Sequence, residues 1–302
     1  MQEFFANGKL LLTGEYVVLD GALAISLPTK LGQSLQVKEE LSETTSIHWK
    51  ALLNDGSIWF EAILDEDLNI ISSSDKILGE NILYILRAVQ SLNHGIFNNK
   101  KLWFTTKLDF PTHWGLGSSS TLITLLANYS NLDAFKLLEI TFGGSGYDIS
   151  CALFPKTQTY QLTTKGRKVN LMKLDKNITQ HCYFIHLKQK QNSREGINRY
   201  RQFDKDKHLI KSISDLSLQI KNCKDLAEFE DILYVHEYLL SEFLSLDRIQ
   251  DSLFPDYKKG IIKSLGAWGG DFVLVTNEDS DLSYFEKKGY TTIFPYHDLI
   301  ID

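Results

Sequence analysis

The chain has 302 residues, enough to bury a substantial core in one large domain or two of ordinary size. Its 43% hydrophobic and 23% charged residues are those of a soluble globular protein. A net charge of −6 without a long basic run argues against nucleic acid as the main partner, because phosphate-backbone affinity needs clustered Lys and Arg. A small phosphorylated ligand stays compatible, since a few local donors suffice. Cys151, Cys182 and Cys223 are widely spaced and lack a CxxC pair, which reads as reduced thiols rather than a disulfide framework or zinc site. The amino terminus has an early acid and no long apolar stretch, and no apolar run is long enough to span a bilayer. A cytoplasmic protein without a membrane partner is expected.

Strands dominate the first third. Lys9–Thr13, Tyr16–Leu19 and Ala22–Leu27 are read as strands, with Asp20-Gly21 as a turn. Ser34–Lys38, Thr45–Lys50 and Ser57–Leu64 continue the pattern, and Asn54-Asp-Gly56 marks a hairpin. Asp75–Leu92 is the first helix, on the spacing of Ile77, Ile82, Leu83, Ile85, Leu86 and Val89, and Asn93-His-Gly95 ends it. A strand at Lys101–Leu108 precedes helices at Ser119–Tyr129 and Leu132–Thr141. Strands are expected near Thr157–Leu162, Cys182–Leu187 and Phe272–Thr276, and helices at Glu195–Tyr200, Lys207–Ile220 and Asp225–Leu244. The elements mix without regular βαβ alternation, so the fold class is α+β.

Between the strand at 101–108 and its following helix lies Pro111-Thr-His-Trp-Gly-Leu-Gly-Ser-Ser-Ser-Thr121. Gly115 and Gly117 let the backbone bend sharply and approach a ligand. The unpaired N–H groups and positive dipole end of the helix would then face an anion such as phosphate. Ser118, Ser119 and Ser120 add hydroxyls that can cap the helix, bond phosphate or bind magnesium. An ordinary turn with a serine cap is the alternative reading.

Three further features stand around this loop. Gly8-Lys9 is followed by Gly14-Glu15; Glu139 precedes Asp148 of Gly143-Gly-Ser-Gly-Tyr-Asp148; and Gly266-Ala-Trp-Gly-Gly270 lies near the end. Together, and in this order, they resemble the GHMP kinases, named for galactokinase, homoserine kinase, mevalonate kinase and phosphomevalonate kinase. The opening Gly-Lys-Leu-Leu-Leu-Thr-Gly-Glu-Tyr resembles the family's amino-terminal motif, and Gly-Leu-Gly-Ser-Ser its phosphate-binding core. Ser-Gly-Tyr-Asp sits where the family carries its catalytic aspartate, and Lys263-Ser-Leu-Gly-Ala-Trp-Gly-Gly resembles its last glycine loop.

The resemblance covers nearly the whole chain. It implies a two-domain fold, with a ribosomal protein S5 domain 2-like ATP-binding part over 1–155 and a ferredoxin-like substrate or lid part over 156–302. It also implies ATP and Mg²⁺ as cofactors. Gly115, Leu116, Gly117, Ser118, Ser119 and Ser120 would hold the nucleotide, with Ser119 and Glu139 reaching the metal. Asp148 would approach the acceptor and Lys9 supply a cation; Gly14 and Glu15 read as architectural. Ser193, Arg194, Gly266, Ala267, Gly269 and Gly270 would face the acceptor, and Lys188 and Lys190 are basic neighbours of that group. His113, His186 and His236 lack metal spacing and read as structural. The expected partner is a small molecule, with homodimerisation left open.

The chain departs from the family pattern at three places. Asn7 replaces a proline, the interval from Ser119 to Asp148 is short, and Trp268 stands where glycine is usual. The short interval bears most on Glu139. Gly-Ser-Gly-Tyr-Asp and Gly-Gly-Asp271 lean toward the phosphomevalonate kinase branch, with mevalonate kinase close behind. Two alternatives stay open: a non-catalytic metabolite sensor on the same scaffold, with Trp268 blocking one side, and a diphosphomevalonate decarboxylase-like enzyme.

Overall fold

The structure, a computed structural model, describes residues 1–189, 193–266 and 268–302, with Ser193 and Arg194 described as backbone only. The chain divides into two compact units whose segments alternate along the sequence. The first comprises Met1–Gly8, Leu31–Thr112 and Leu116–Leu153; the second comprises Lys9–Lys30, His113–Gly115 and Phe154–Asp302. Strands β1 (Gln2–Thr13) and β2 (Ala24–Leu41) each contribute residues to both units.

The first unit continues with β3 (Ser46–Leu52), β4 (Ile58–Leu64), β5 (Ile70–Ser73), α1 (Lys76–Leu92), β6 (Lys100–Leu108), α2 (Ser118–Ser130), α3 (Ala134–Ile140) and α4 (Tyr147–Leu153). Its sheet runs β5-β4-β3-β6-β2, with β1 paired to β2; β3 and β6 are parallel. Alternation in β3 turns Ile47, Trp49 and Ala51 inward, and Trp49 stacks on Phe104 with ring centroids 5.4 Å apart. Against them pack Ile85, Leu86 and Val89 of α1 and Ile123 and Leu126 of α2. Helix α1 starts where Asp75 accepts a hydrogen bond from the Leu78 amide at 2.9 Å, an N-cap that satisfies an otherwise orphaned donor. Its periodic residues are buried except Ile77, which is exposed in the first turn.

The second unit adds β7 (Gln158–Thr163), β8 (Gly166–Leu171), α5 (Lys176–Thr179), β9 (Cys182–His186), α6 (Ser193–Tyr200), α7 (Lys207–Asn222), α8 (Leu226–Leu244), α9 (Ile249–Leu253), β10 (Ile262–Ser264), β11 (Phe272–Thr276), α10 (Ser283–Lys287), β12 (Ile293–Pro295) and α11 (Tyr296–Leu299). The hairpin β7-β8 pairs with the start of β2, Ala24 lying opposite Tyr160. A four-stranded antiparallel sheet runs β10-β11-β9-β12, and α7 packs against α8. Its core is built from Ile185, Phe254, Tyr257, Ile262, Val273 and Phe285. Asp206 and Asp225 cap α7 and α8 through their side chains.

The α+β expectation holds, and several local readings change. Tyr16–Leu19 is not a strand. Tyr16 takes a left-handed φ of 62° and Val17–Asp20 forms a 3-10 turn, so burial of Val17 and Val18 overrides the strand preference of branched residues. Gly21 of the expected Asp20-Gly21 turn caps that 3-10 turn at φ 93°. Residues 24–27 and 34–38 belong to one long strand, β2, rather than two, and residues 22 and 23 precede it. Asp148, at the end of the second glycine cluster, lies in the first turn of α4, a short helix that was not among the expected elements. No helix among the described residues is long and apolar enough to cross a membrane.

Candidate active site

In the first unit, the phosphate-loop candidates gather at the start of α2. Gly117 is its N-cap at φ 91°, and the helix has no side-chain cap bond among the described residues. Its leading amides are therefore left for another partner, and the positive end of the helix dipole adds to their pull on an anion. Leu116 is buried as an anchor, Ser118 is half-buried and Ser119 is exposed. The Ser120 hydroxyl donates inward to the Gly117 carbonyl at 2.8 Å, so this residue shapes the turn. Thr121 completes the base of the loop by donating to Gln33 Oε1 at 2.7 Å.

Two acidic candidates lie on helices packed in the same unit. Helices α3 and α4 both pack against α2. Glu139 is exposed near the end of α3, an end held where Tyr84 donates to the carbonyls of Ile140 and Thr141. Asp148 is half-buried, and its Oδ1 accepts from the Ile149 amide at 3.0 Å. A hydroxyl and a carboxylate are the hard oxygen donors that suit Mg²⁺, which keeps several waters. Among the described residues there is no group of three or more His, Cys, Asp or Glu arranged for a metal, so an ion here would rely on phosphate and water oxygens as well.

The second unit holds the other half of the motif set. Lys9 is half-buried on β1, and its Nζ donates to the Gly115 carbonyl at 2.8 Å. Gly115 has φ 66°, the left-handed conformation that favours glycine. The last glycine loop joins β10 to β11, with Gly266 and Gly269 half-buried at φ 70° and 78° and Gly270 buried. The Trp268 amide donates to the Tyr16 hydroxyl at 2.9 Å, and its Nε1 donates to the Asp247 carbonyl at 2.9 Å. Trp268 is thus a buried, hydrogen-bonded wall of this unit. Ala267 and Lys190 lie outside the described residues, as do the side chains of Ser193 and Arg194; Arg194 and Ser193 sit at the start of α6.

Below the glycine loop lies a wholly buried ionic cluster. Lys263 Nζ donates to Glu15 Oε1 at 2.5 Å and to the Ser264 carbonyl at 2.8 Å. Glu237 Oε1 accepts from the Ser264 amide at 2.7 Å. His236 Nε2 accepts from the Gly14 amide at 3.0 Å and lies 3.5 Å from Glu15 Oε2. That approach is not an ion pair: burial holds the imidazole well below its usual pKa, and Nε2 already accepts a proton bond. Burial raises Glu15 despite the opposing Lys263 ammonium, and raises Glu237 to about 7. Glu15 and Tyr16 of the amino-terminal motif therefore hold the loop after Lys263 in place. Glu15 is buried in this cluster; Lys263 and His236 were named in the sequence without this pairing, and Glu237 was not named. A lysine inside Ile261-Ile-Lys263, running into a glycine loop, was the one available signal.

A surface cavity of about 640 Å³ lies elsewhere in the second unit, among Glu230, Tyr234, Arg248, Gln250 and Lys259. No predicted site residue lines it.

No protein-family model matches the chain, and no curated protein does. Solved structures do. Phosphomevalonate kinase of Streptococcus pneumoniae, in complex with phosphomevalonate and AMPPNP, is 16% identical with a TM-score of 0.70, covering 97% of this chain and 99% of its own. Mevalonate kinase of Methanococcus jannaschii is 18% identical with a TM-score of 0.66, covering 97% and 96%. Galactokinase of Lactococcus lactis, complexed with galactose, is 14% identical with a TM-score of 0.67, covering 97% and 92%. Over essentially its whole length, the chain has the fold of the GHMP kinases.

Proposed function

We propose that the chain is an ATP-dependent small-molecule kinase that transfers the γ-phosphoryl group to a mevalonate-type acceptor, phosphomevalonate slightly ahead of mevalonate, in the cytoplasm. The observation that carries this reading is the start of α2, a glycine-led helix terminus without a side-chain cap. It suits the phosphates of ATP, and the match in fold supplies the context. The leading amides of α2 and the Ser118 and Ser119 hydroxyls would hold phosphate oxygens, with Ser119 and Glu139 offering oxygen donors to Mg²⁺. The bound ion would neutralise charge on the phosphates. Lys9 would stabilise charge on the transferring group, and Asp148 would orient the acceptor and accept its proton where the acceptor is an alcohol.

The acceptor preference rests on Gly-Ser-Gly-Tyr-Asp148 and Gly-Gly-Asp271, since fold similarity reaches sugar kinases equally. Burial of the Trp268 indole favours the kinase over the sensor reading, because the sensor needed that ring as an obstruction.

ADP release measured against phosphomevalonate, mevalonate, homoserine and galactose tests the proposal. Turnover is expected with phosphomevalonate and, more slowly, mevalonate. Turnover with galactose alone would overturn the acceptor, and Mg-ATP binding without any transfer would favour a sensor. Asp148→Asn should lower kcat by about 100-fold or more with mevalonate, whose hydroxyl must lose a proton, and by less with phosphomevalonate, already ionised. Equal losses with both acceptors would count against proton removal by Asp148.

A further inference from the structure

Asp271 enters the kinase reading only as part of a sequence motif and is given no role there, yet its setting is unusual. It is a non-glycine residue at φ 51°, in the left-handed region that L-residues enter at a cost, and its side chain is buried. The backbone is held there from both sides. Its amide donates to the Gln189 carbonyl at 2.8 Å, and its carbonyl accepts from the Leu187 amide at 2.7 Å. So fixed, the carboxylate lies against Gly115: a Cβ on that glycine would stand 2.0 Å from Asp271 Oδ2 and 2.3 Å from its Cγ. The carbonyl of the same Gly115 receives the Lys9 ammonium at 2.8 Å.

A buried carboxylate beside a loop proposed to approach phosphates works against anion binding unless it has another task. Glycine at 271 would relieve both the backbone and the charge, yet an acid stands there. We propose that Asp271 is a positioning residue: its carboxylate sets the Gly115 turn, and that turn holds the Lys9 ammonium in place for phosphoryl transfer. The transfer part rests on the kinase reading; the hold of Asp271 on Gly115 does not.

Asp271→Asn keeps the shape and a tolerance for left-handed φ while removing the charge, and Asp271→Gly removes the side chain without strain. Both would be compared with the wild type by thermal melting, by amide hydrogen exchange over residues 112–117, and by kcat and KM for ATP. Melting should stay within a few degrees, while exchange at the turn rises by about tenfold and the rest of the second unit is unchanged. Turnover should fall by about tenfold or more with KM for ATP altered less than about threefold, the pattern of an interaction used in the transition state. Gly115→Ala should be severely impaired, and Asp271→Gly should partly rescue it, because the space needed by the new methyl is vacated. Unchanged exchange at the turn refutes the proposal. So does exchange rising across the whole unit with a lowered melting point, the mark of a merely structural residue. Faster exchange with unchanged kcat refutes the role in transfer. A wild type that never turns over ends the kinase reading, while the exchange and rescue data still decide whether Asp271 holds Gly115.

Discussion

The two units bury different chemistry. Among the described residues, the first buries no carboxylate, ammonium, guanidinium or imidazole; its hidden polar side chains are Ser, Thr and Gln33. The second buries Glu15, Glu237, Lys263 and Asp271, together with His186 and His236. An apolar interior is held by area and shape, which many side chains of similar volume can supply. A buried ionic cluster is held by pairing, and each member depends on the others remaining. The first kind of interior supports a helix terminus with free amides. The second fixes a glycine loop to a motif about 250 residues earlier in sequence, through Lys263–Glu15 and Trp268–Tyr16.

That contrast can be broken most sharply at Lys263. Lys263→Met should destabilise the protein by about 3–5 kcal/mol, read from urea unfolding, because Glu15 is left buried without its cation. Adding Glu15→Gln should recover much of that loss; a double variant as unstable as the single one would show that the methionine, rather than the orphaned charge, does the damage. Glu237 gives the next largest effect. Its pKa rises on folding from 4.5 to about 7, so the folded state binds more protons than the unfolded chain within that window. Its contribution to stability is full below pH 4.5 and is lost as pH rises through about 7. His236 acts oppositely, since its lowered pKa makes folding lose stability as pH falls below 6.5. Relative to wild type, Glu237→Gln should gain up to roughly 3 kcal/mol between those limits, and parallel stability–pH curves for the two proteins would rule the group out as a source of the dependence. The smallest effect belongs to the first unit: Leu86→Met, at a fully buried position, should cost less than about 1.5 kcal/mol and leave pH dependence untouched. A loss comparable to that of Lys263→Met would erase the distinction between the interiors.

Much of the fold was legible. Helix α1 was readable from its period and its Asp75 cap, and α7 and α8 similarly from periodic residues after Asp206 and Asp225, because these signals are local. The Gly115–Ser120 turn was readable for the same reason, its left-handed residues being glycines. Short elements were not. Strands β5, β8, β10 and β12 are three to six residues long, too brief for a period to declare itself, and gain their form from neighbours. Tyr16 shows the opposite failure: a branched, apolar run reads as a strand, but its hydroxyl accepts from Trp268 and its backbone turns left-handed.

By itself, the sequence determined the α+β class, the order of the four motifs and the glycine-led start of α2, since periodicity, turn chemistry and short motifs act over a few residues. Only the tertiary structure decided that Lys9 and Asp271 meet the same glycine, that Lys263 neutralises Glu15, and that the Trp268 indole is turned into the interior. The physical reason is distance along the chain. The partners that meet at Gly115 and at Glu15 are separated by some 100 to 250 residues, and burial rather than local preference selects which charges must find each other.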